Sequence, residues 1–446
     1  MASLESSNSS PPNPSFAIRG TPQNKFLRSL STKVPSFSEF PYTPPRRHAS
    51  PNLTRSLQNS PVSSPLHPQT PTKLYNVDID HDHDYDLDHL QTAYHCVSSV
   101  LKKDGQILSI AVSAGLAYTG SNANLIRVWK LPEFTECGQI KTKACMVVAI
   151  EVCNDKVYAA YGDGKIRVWR RTWDRVLKHI RLATIPNTGG YVRSYIAGSK
   201  DKTVKHLGPI TSLAINLRDD ILYSSSIDKT VKVWCISDLK CIETIKAHSE
   251  PINAIVLDDG GVLYTASDDA TIKVWRRNFS AGLRPHSLTV TLPAKYSPIK
   301  TLTLTRDNTV LYGGCNDGYI HYWIKGWFPG QLQYGGALQG HTHAIMCLAS
   351  VGNYVISGSA DSTSRVWSRE EDGQHTCLAV LVGHRGPIRC VTAFAGKSGE
   401  DSEDSYCMVC TGSLDGVLKM WHVTCKNMRF EPANLRGGVS TLVNEF

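Results

Sequence analysis

From about residue 95 onward, apolar and polar positions alternate with a period of two in short runs closed by glycine, serine or aspartate. The runs recur in a fixed order. An apolar segment opens each unit, as in ITSLAI (210–215), INAIVL (252–257) and IMCLAS (345–350). A second run ends in small residues: LYSSS (222–226), LYTAS (263–267), LYGGC (311–315), VISGS (355–359) and VCTGS (409–413). A tight turn follows, and then a third run that ends in tryptophan, at Trp129, Trp169, Trp234, Trp275, Trp323, Trp367 and Trp421. Six of the turns place an aspartate six residues before the tryptophan: Asp163, Asp228, Asp269, Asp317, Asp361 and Asp415. Alternation bounded by turn residues predicts short antiparallel strands. A four-stranded unit repeated about an axis is a propeller blade, so the pattern predicts an all-β chain with seven blades.

The tryptophans are 40, 65, 41, 48, 44 and 54 residues apart, against the roughly 40–45 of a WD40 blade. The blocks ASDDATIKVW (266–275) and GSADSTSRVW (358–367) resemble the family's second strand, turn and third strand. The resemblance to WD40 proteins covers about residues 95–421 and implies a seven-bladed WD40 β-propeller. It also implies a structural network in each complete blade, in which a histidine before the first strand, a serine or threonine, the turn aspartate and the tryptophan are hydrogen-bonded. Carried over residue by residue, the network is His206, Asp228 and Trp234; His248, Asp269 and Trp275; His341, Asp361 and Trp367; and His384, Asp415 and Trp421. A buried carboxylate requires donors, and an imidazole can supply one.

Three departures stand out. None of the seven repeat tryptophans is followed by the family's aspartate; the first blade has Ala123 at the turn and Lys103 in place of the histidine; and no histidine precedes the first strands near Ala144 and Ile299. Those blades are expected to depend more on apolar packing. Residues 95–112 align without gaps on 240–257, which makes their first half an outer strand without a blade of its own. It should complete the last blade, leaving no open edge. Two insertions remain: a basic loop at 187–205, whose AGSKDKTVKH segment mimics part of a further blade, and an acidic loop at 396–405.

Residues 1–90 differ in kind. Over residues 1–77, Ser, Pro, Thr and Asn dominate, and eight Lys/Arg face only Glu5 and Glu39. Such a segment buries too little apolar surface to offset its ordering entropy, so a disordered N-terminal tail is expected. It carries seven Ser/Thr-Pro pairs, among which Ser50, Ser60 and Ser64 are candidate phosphosites whose modification would reverse the local charge. The opening MASLESSNSS is poor in acids, as organellar transit peptides are, but the dense prolines oppose an amphipathic helix. The alternating His/Asp tract at 81–89 reads as a solvated acidic linker; without fixed geometry it would bind metal weakly. Residues 426–446 are expected to form a C-terminal tail.

Composition narrows the function. The chain has 446 residues, a net charge of +9 and 13 scattered cysteines, most of them inside apolar, strand-like runs, a pattern of reduced thiols in the cytoplasm or nucleus. No apolar stretch reaches the 18 residues of a bilayer span. No nucleophile elbow, phosphate loop, HExxH or metal-spaced Cys/His set is present, so the reading is a non-catalytic interaction scaffold without cofactor, metal or small-molecule substrate. Other proteins or peptides are the expected partners. Nucleic acid is disfavoured, because no basic stripe with interleaved aromatics appears.

In WD40 propellers the residues just before the turn aspartate and just after the histidine line the partner-binding rim. That resemblance nominates Asn122, Asp268, Asn316, Ala360 and Leu414 from the turns, and Ser249, Thr342 and Arg385 from the positions after histidine. Arg385 is the expected anchor, since a guanidinium pairs with carboxylate or phosphate in a fixed fork. The Ser/Pro tail, the YHCVSSVLKKDGQILSIAVS opening (94–113) and the insertion before the third set of inner strands resemble a plant group typified by JINGUBANG. That likeness implies a regulatory protein of pollen germination or growth control. The alternatives are a substrate receptor of a cullin-type ubiquitin ligase, whose Asp after Trp and Arg two further on are absent at all seven repeat tryptophans, and a chromatin-associated protein.

Overall fold

The computed structural model describes residues 93–142, 146–186, 204–278, 285–293, 297–326, 331–370, 372–397 and 405–424. The tail with Ser50, Ser60 and Ser64, the His/Asp tract, most of the basic insertion, the tip of the acidic loop and residues 425–446 lie outside these. Twenty-eight strands form seven four-stranded antiparallel sheets. Blade 1 is β2(Ile107–Ser113), β3(Leu116–Ser121), β4(Leu125–Lys130) and β5(Thr135–Lys141). Blade 2 is β6(Val147–Cys153), β7(Lys156–Tyr161), β8(Ile166–Asp174) and β9(Val176–Ile185). Blade 3 is β10(Ile210–Asn216), β11(Ile221–Ser226), β12(Thr230–Cys235) and β13(Cys241–Lys246). Blade 4 is β14(Ile252–Leu257), β15(Leu263–Ser267), β16(Thr271–Arg277) and β17(His286–Pro293). Blade 5 is β18(Ile299–Leu304), β19(Val310–Cys315), β20(Ile320–Lys325) and β21(Leu332–Leu338). Blade 6 is β22(Ile345–Val351), β23(Tyr354–Ser359), β24(Thr363–Arg369) and β25(His375–Val382).

The ring closes as the ungapped internal alignment predicted. Blade 7 takes β26(Ile388–Lys397), β27(Ser405–Ser413) and β28(Val417–Thr424) from the end of the chain, and its outer strand is β1(Ala93–Leu101). β1 pairs with β28 from Ala93 opposite Thr424 to Leu101 opposite Val417. The described chain therefore makes seven blades and no eighth.

The blades share one pleat. Each first strand opens on Ile or Val (Ile107, Val147, Ile210, Ile252, Ile299, Ile345 and Ile388), all buried. In every case a β-bulge follows that residue, as between Ile210 and Ser212. In all seven blades a second bulge falls at the tryptophan, as between Val366 and Trp367. Bulges add right-handed twist, which turns each sheet into a blade whose faces pack on its neighbours. The core lies between blades. Trp421 packs with Ile356, Val366 and Leu381 of blade 6, and Trp234 packs with Tyr158, Ile166 and Val168 of blade 2. Burying an indole of roughly 200 Å² contributes about 5 kcal/mol before ordering costs.

Candidate interaction face

Four blades build the expected polar network, and its proton order is legible. In blade 6 the Trp367 indole N–H donates to Ser357 Oγ at 2.9 Å. Ser357 Oγ lies 2.8 Å from His341 Nε2, and His341 Nδ1 lies 2.8 Å from Asp361 Oδ2. With the hydroxyl donating to Nε2, the imidazole carries its proton on Nδ1 and donates it to the carboxylate, so every member is satisfied. Blade 3 repeats this through Trp234, Ser224, His206 and Asp228 at 2.8, 2.8 and 2.9 Å. Blade 4 does so through Trp275, Thr265, His248 and Asp269 at 3.1, 2.7 and 2.9 Å. Blade 7 does so through Trp421, Thr411, His384 and Asp415 at 2.9, 2.8 and 3.3 Å.

Each aspartate also caps the turn it opens. Thr363 N–H donates to Asp361 Oδ1 at 2.9 Å and its hydroxyl to the same oxygen at 2.7 Å. Burial works to raise the Asp228 and Asp361 carboxyls, but hydrogen bonds led by His206 and His341 prevail and hold both well below the usual range. Burial lowers His248 and His384, against the pull of their aspartates. These are neutral imidazoles locked between fixed partners, with no open side toward a substrate.

Blades 1, 2 and 5 lack the full network, and other polar contacts stand beside the apolar packing expected of them. In blade 1 Trp129 still donates to Thr119 Oγ1 at 2.8 Å. The rest is ionic: Arg127 pairs with Asp104 and, at 2.5 Å, with Glu136, which also meets Lys102 at 3.1 Å. In blade 2 Arg167 meets its turn aspartate, Asp163, at 2.7 Å and lies over the Tyr161 ring. Blade 5 has Gly313 where the hydroxyl would be. Ser297 Oγ there accepts the Asp317 N–H at 3.1 Å. The ligand atoms of Cys315, Asp317 and His321 lie within 4.8 Å of one another, the one such cluster among the described residues.

The network sets the rim. The residue after each histidine donates its backbone N–H to the turn aspartate: Leu207 to Asp228 at 2.9 Å, Ser249 to Asp269 at 3.2 Å, Thr342 to Asp361 at 3.1 Å and Arg385 to Asp415 at 2.8 Å. The residue before each turn aspartate is tied to the residue preceding the first strand. Asn122 N–H bonds Gln106 O, Asp268 bonds Pro251 O, Asn316 bonds Pro298 O, Ala360 bonds Ala344 O and Leu414 bonds Pro387 O, all at 2.9–3.1 Å. All eight nominated residues therefore sit at equivalent turn positions at one end of the blades.

Their side chains are not equivalent. Asn122, Ser249, Asn316, Thr342 and Arg385 are exposed, whereas Asp268, Ala360 and Leu414 are half-buried. Asp268 is already engaged, accepting from Lys300 Nζ at 2.6 Å and Asn253 Nδ2 at 2.8 Å. Two apolar residues at the same positions were missed. Leu207 follows His206 and Ile227 precedes Asp228; they are 78% and 38% exposed, an apolar pair on blade 3. The positional rule reaches both, so the signal was present in the sequence.

A second set of bonds was not foreseen. Tyr118 meets His179 Nε2 at 3.1 Å, Tyr223 meets His286 Nε2 at 2.9 Å, and Tyr312 meets His375 Nε2 at 2.7 Å. Each joins the second strand of one blade to the outer strand of the next. His286 Nδ1 also meets Glu243 Oε2 at 2.6 Å. This Glu–His–Tyr line is buried between blades 3 and 4 and acts as a clamp. Burial lowers His179 and His375 to about 4.

Comparison with known proteins agrees with this construction. The model of the WD domain, G-beta repeat matches residues 202–235, 239–276, 333–368 and 375–422, which contain the four histidine networks. These segments are similar to WD repeats, and the sheet order makes the chain a seven-bladed β-propeller. Telomerase protein component 1 of Rattus norvegicus is 28% identical over 229 residues, 48% of this chain and 8% of the relative. An F-box/WD-40 repeat-containing protein of Arabidopsis thaliana is 27% identical over 145 residues, 32% of this chain and 24% of its own length. Protein lethal(2)denticleless of Drosophila melanogaster is 29% identical over 154 residues, 33% of this chain and 19% of its own. The chain thus covers less than a quarter of each of these relatives. Among the described residues no helix is long and apolar enough to cross a membrane.

Proposed function

We propose that this protein is a non-catalytic scaffold that captures other proteins or peptides on the rim formed by the turns before the first and third strands. The observation that carries this reading is the anchoring of that rim. Four buried networks fix the backbone beneath Leu207, Ser249, Thr342 and Arg385 while their side chains face solvent. A rigid support under variable exposed groups is what recognition requires. The mixture of an exposed apolar pair, small hydroxyls and one guanidinium suits a peptide segment with an apolar and an acidic group. A nucleic-acid backbone would call for several converging cations.

The regulatory role in plants suggested by the JINGUBANG-like layout, and a cytoplasmic or nuclear location, belong to this proposal. A substrate receptor for a cullin-type ligase is the second reading, favoured by the likeness to a protein whose name carries an F-box. The test is affinity capture from plant extract by the full chain and by Arg385→Glu and Leu207→Asp, with thermal unfolding alongside. The expected result is loss of a shared set of captured proteins at unchanged melting temperature. Full retention by the double variant would refute the rim.

A further inference from the structure

We propose that Cys315, Asp317 and His321 form a binding site for one Zn²⁺ ion at the turn between β19 and β20 of blade 5. The argument starts from register. The last residue of the second strand, opposite the first residue of the blade, is Ser121, Ser226, Ser267, Ser359 and Ser413 in blades 1, 3, 4, 6 and 7, and Tyr161 in blade 2. Blade 5 alone has a thiol, Cys315 opposite Ile299. The third-strand residue two before the tryptophan is Arg127, Arg167, Lys232, Lys273, Arg365 and Lys419 in the other six blades. Blade 5 has His321, opposite Gly313. At two places where this fold otherwise carries a hydroxyl or phenol and a fixed cation, blade 5 therefore carries two metal-ligand side chains. The cation that would repel an ion is absent.

The geometry supports the same assignment. The three ligand atoms lie within 4.8 Å of one another. Zinc bonds of about 2.3 Å to sulfur and about 2.0–2.2 Å to nitrogen and oxygen require ligand separations somewhat shorter than that. Small side-chain rotations close the difference. Asp317 Oδ1 accepts the Tyr319 N–H at 3.0 Å, and Oδ2 is the oxygen assigned to the ion. With Nε2 as the ligand, the Tyr334 hydroxyl, 2.9 Å from His321 Nδ1, is the outer partner that orients a metal-bound imidazole. Tyr319, Trp323 and Tyr334 pack around the His321 ring. One thiolate, one imidazole and one carboxylate select Zn²⁺ over Mg²⁺ or Ca²⁺. Asp317 is exposed, so the fourth position opens to water on the rim beside Asn316. The ion ties the end of the second strand, the turn and the third strand together, as the histidine network does in the complete blades.

The experiment titrates Co²⁺, a spectroscopic substitute for Zn²⁺, into the reduced full-length chain. The expected result is a thiolate-to-cobalt charge-transfer band that saturates near one equivalent and is displaced by Zn²⁺. Cys315→Ser should abolish the band, and His321→Lys should weaken Co²⁺ binding by roughly tenfold or more. Both variants install side chains that sister blades carry at the same register, so folding is preserved and is checked by thermal unfolding. The His81→Ala, His83→Ala, His89→Ala variant controls for the His/Asp tract, which lacks a thiol and should leave the band unchanged. No thiolate band at stoichiometric Co²⁺, or a band that survives Cys315→Ser, overturns the proposal.

Discussion

Blades 5 and 6 share a pleat, a bulge after the first residue and a buried tryptophan, yet they hold their turns differently. In blade 6 a chain from Trp367 through Ser357 and His341 to Asp361 runs without a break, and Asp361 also fixes the backbone of Thr342. In blade 5 Gly313 removes the hydroxyl, and Ser297 Oγ takes the Asp317 N–H. The full histidine network is therefore not required to make a blade. The polar network adds something else: it locks the loop before the first strand, and with it the exposed rim residue, to the turn before the third strand. Gly318 shows that the blades are nonetheless coupled. Its φ is +90°, and an added Cβ would lie 2.8 Å from His341 O of the next blade, so the blade 5 turn is shaped against blade 6.

The largest effect should come from opening the ring that both blades share. Deleting residues 93–101 removes the partner of β28 and should abolish cooperative thermal unfolding of the whole domain; an unchanged melting curve would refute closure. Next, Asp361→Ala leaves the His341 Nδ1–H and the Thr342 N–H without their acceptor. It should cost about 1–3 kcal/mol by denaturant unfolding. Asp317→Ala, measured in chelator, should stay within about 0.5 kcal/mol. Equal losses would erase the distinction between the two blades.

Acid should act on the clamps between blades. His179 and His375 are held neutral, with values lowered to about 4. The unfolded chain takes up protons near pH 6.5, so stability should fall as pH drops from about 6.5 to 4. The depressed aspartates add their own loss at lower pH, as they become protonated. A His179→Phe, His375→Phe variant should flatten the first part of that slope in thermal scans, and an unchanged slope would assign it elsewhere. Smallest of all, Ala123→Asp in blade 1 should change stability by less than about 0.5 kcal/mol, because Lys103 stands where the histidine would be and Arg127 is already paired.

Much of this was legible in the chain because blades are local. The period-two runs, the tryptophans and the aspartates six residues before them lie within single units, and the WD40 resemblance they carry implied the four histidine networks. Closure could be read because 95–112 repeats 240–257 without a gap. The rim positions could be read too, although the apolar Leu207 and Ile227 were passed over. What escaped joins residues far apart or replaces one chemistry with another. Tyr118 and His179, Tyr223 and His286, and Tyr312 and His375 are 61 or 63 residues apart and sit on different blades, so no local pattern marks them. The Arg127–Asp104–Glu136 group fills blade 1 with charge where only a missing network was evident. Cys315, Asp317 and His321 lack any familiar ligand spacing, and only the pairing of β19 with β20 brings them together.

The central claim is that the networked turns present a fixed recognition rim. Hydrogen–deuterium exchange of the full chain, free and bound to a captured partner, tests it most directly. The account predicts new protection at 206–208, 227–229, 248–250, 341–343 and 384–386, with the outer strands β5, β9 and β13 unchanged. Protection confined to those outer strands or to residues 1–90 would contradict it.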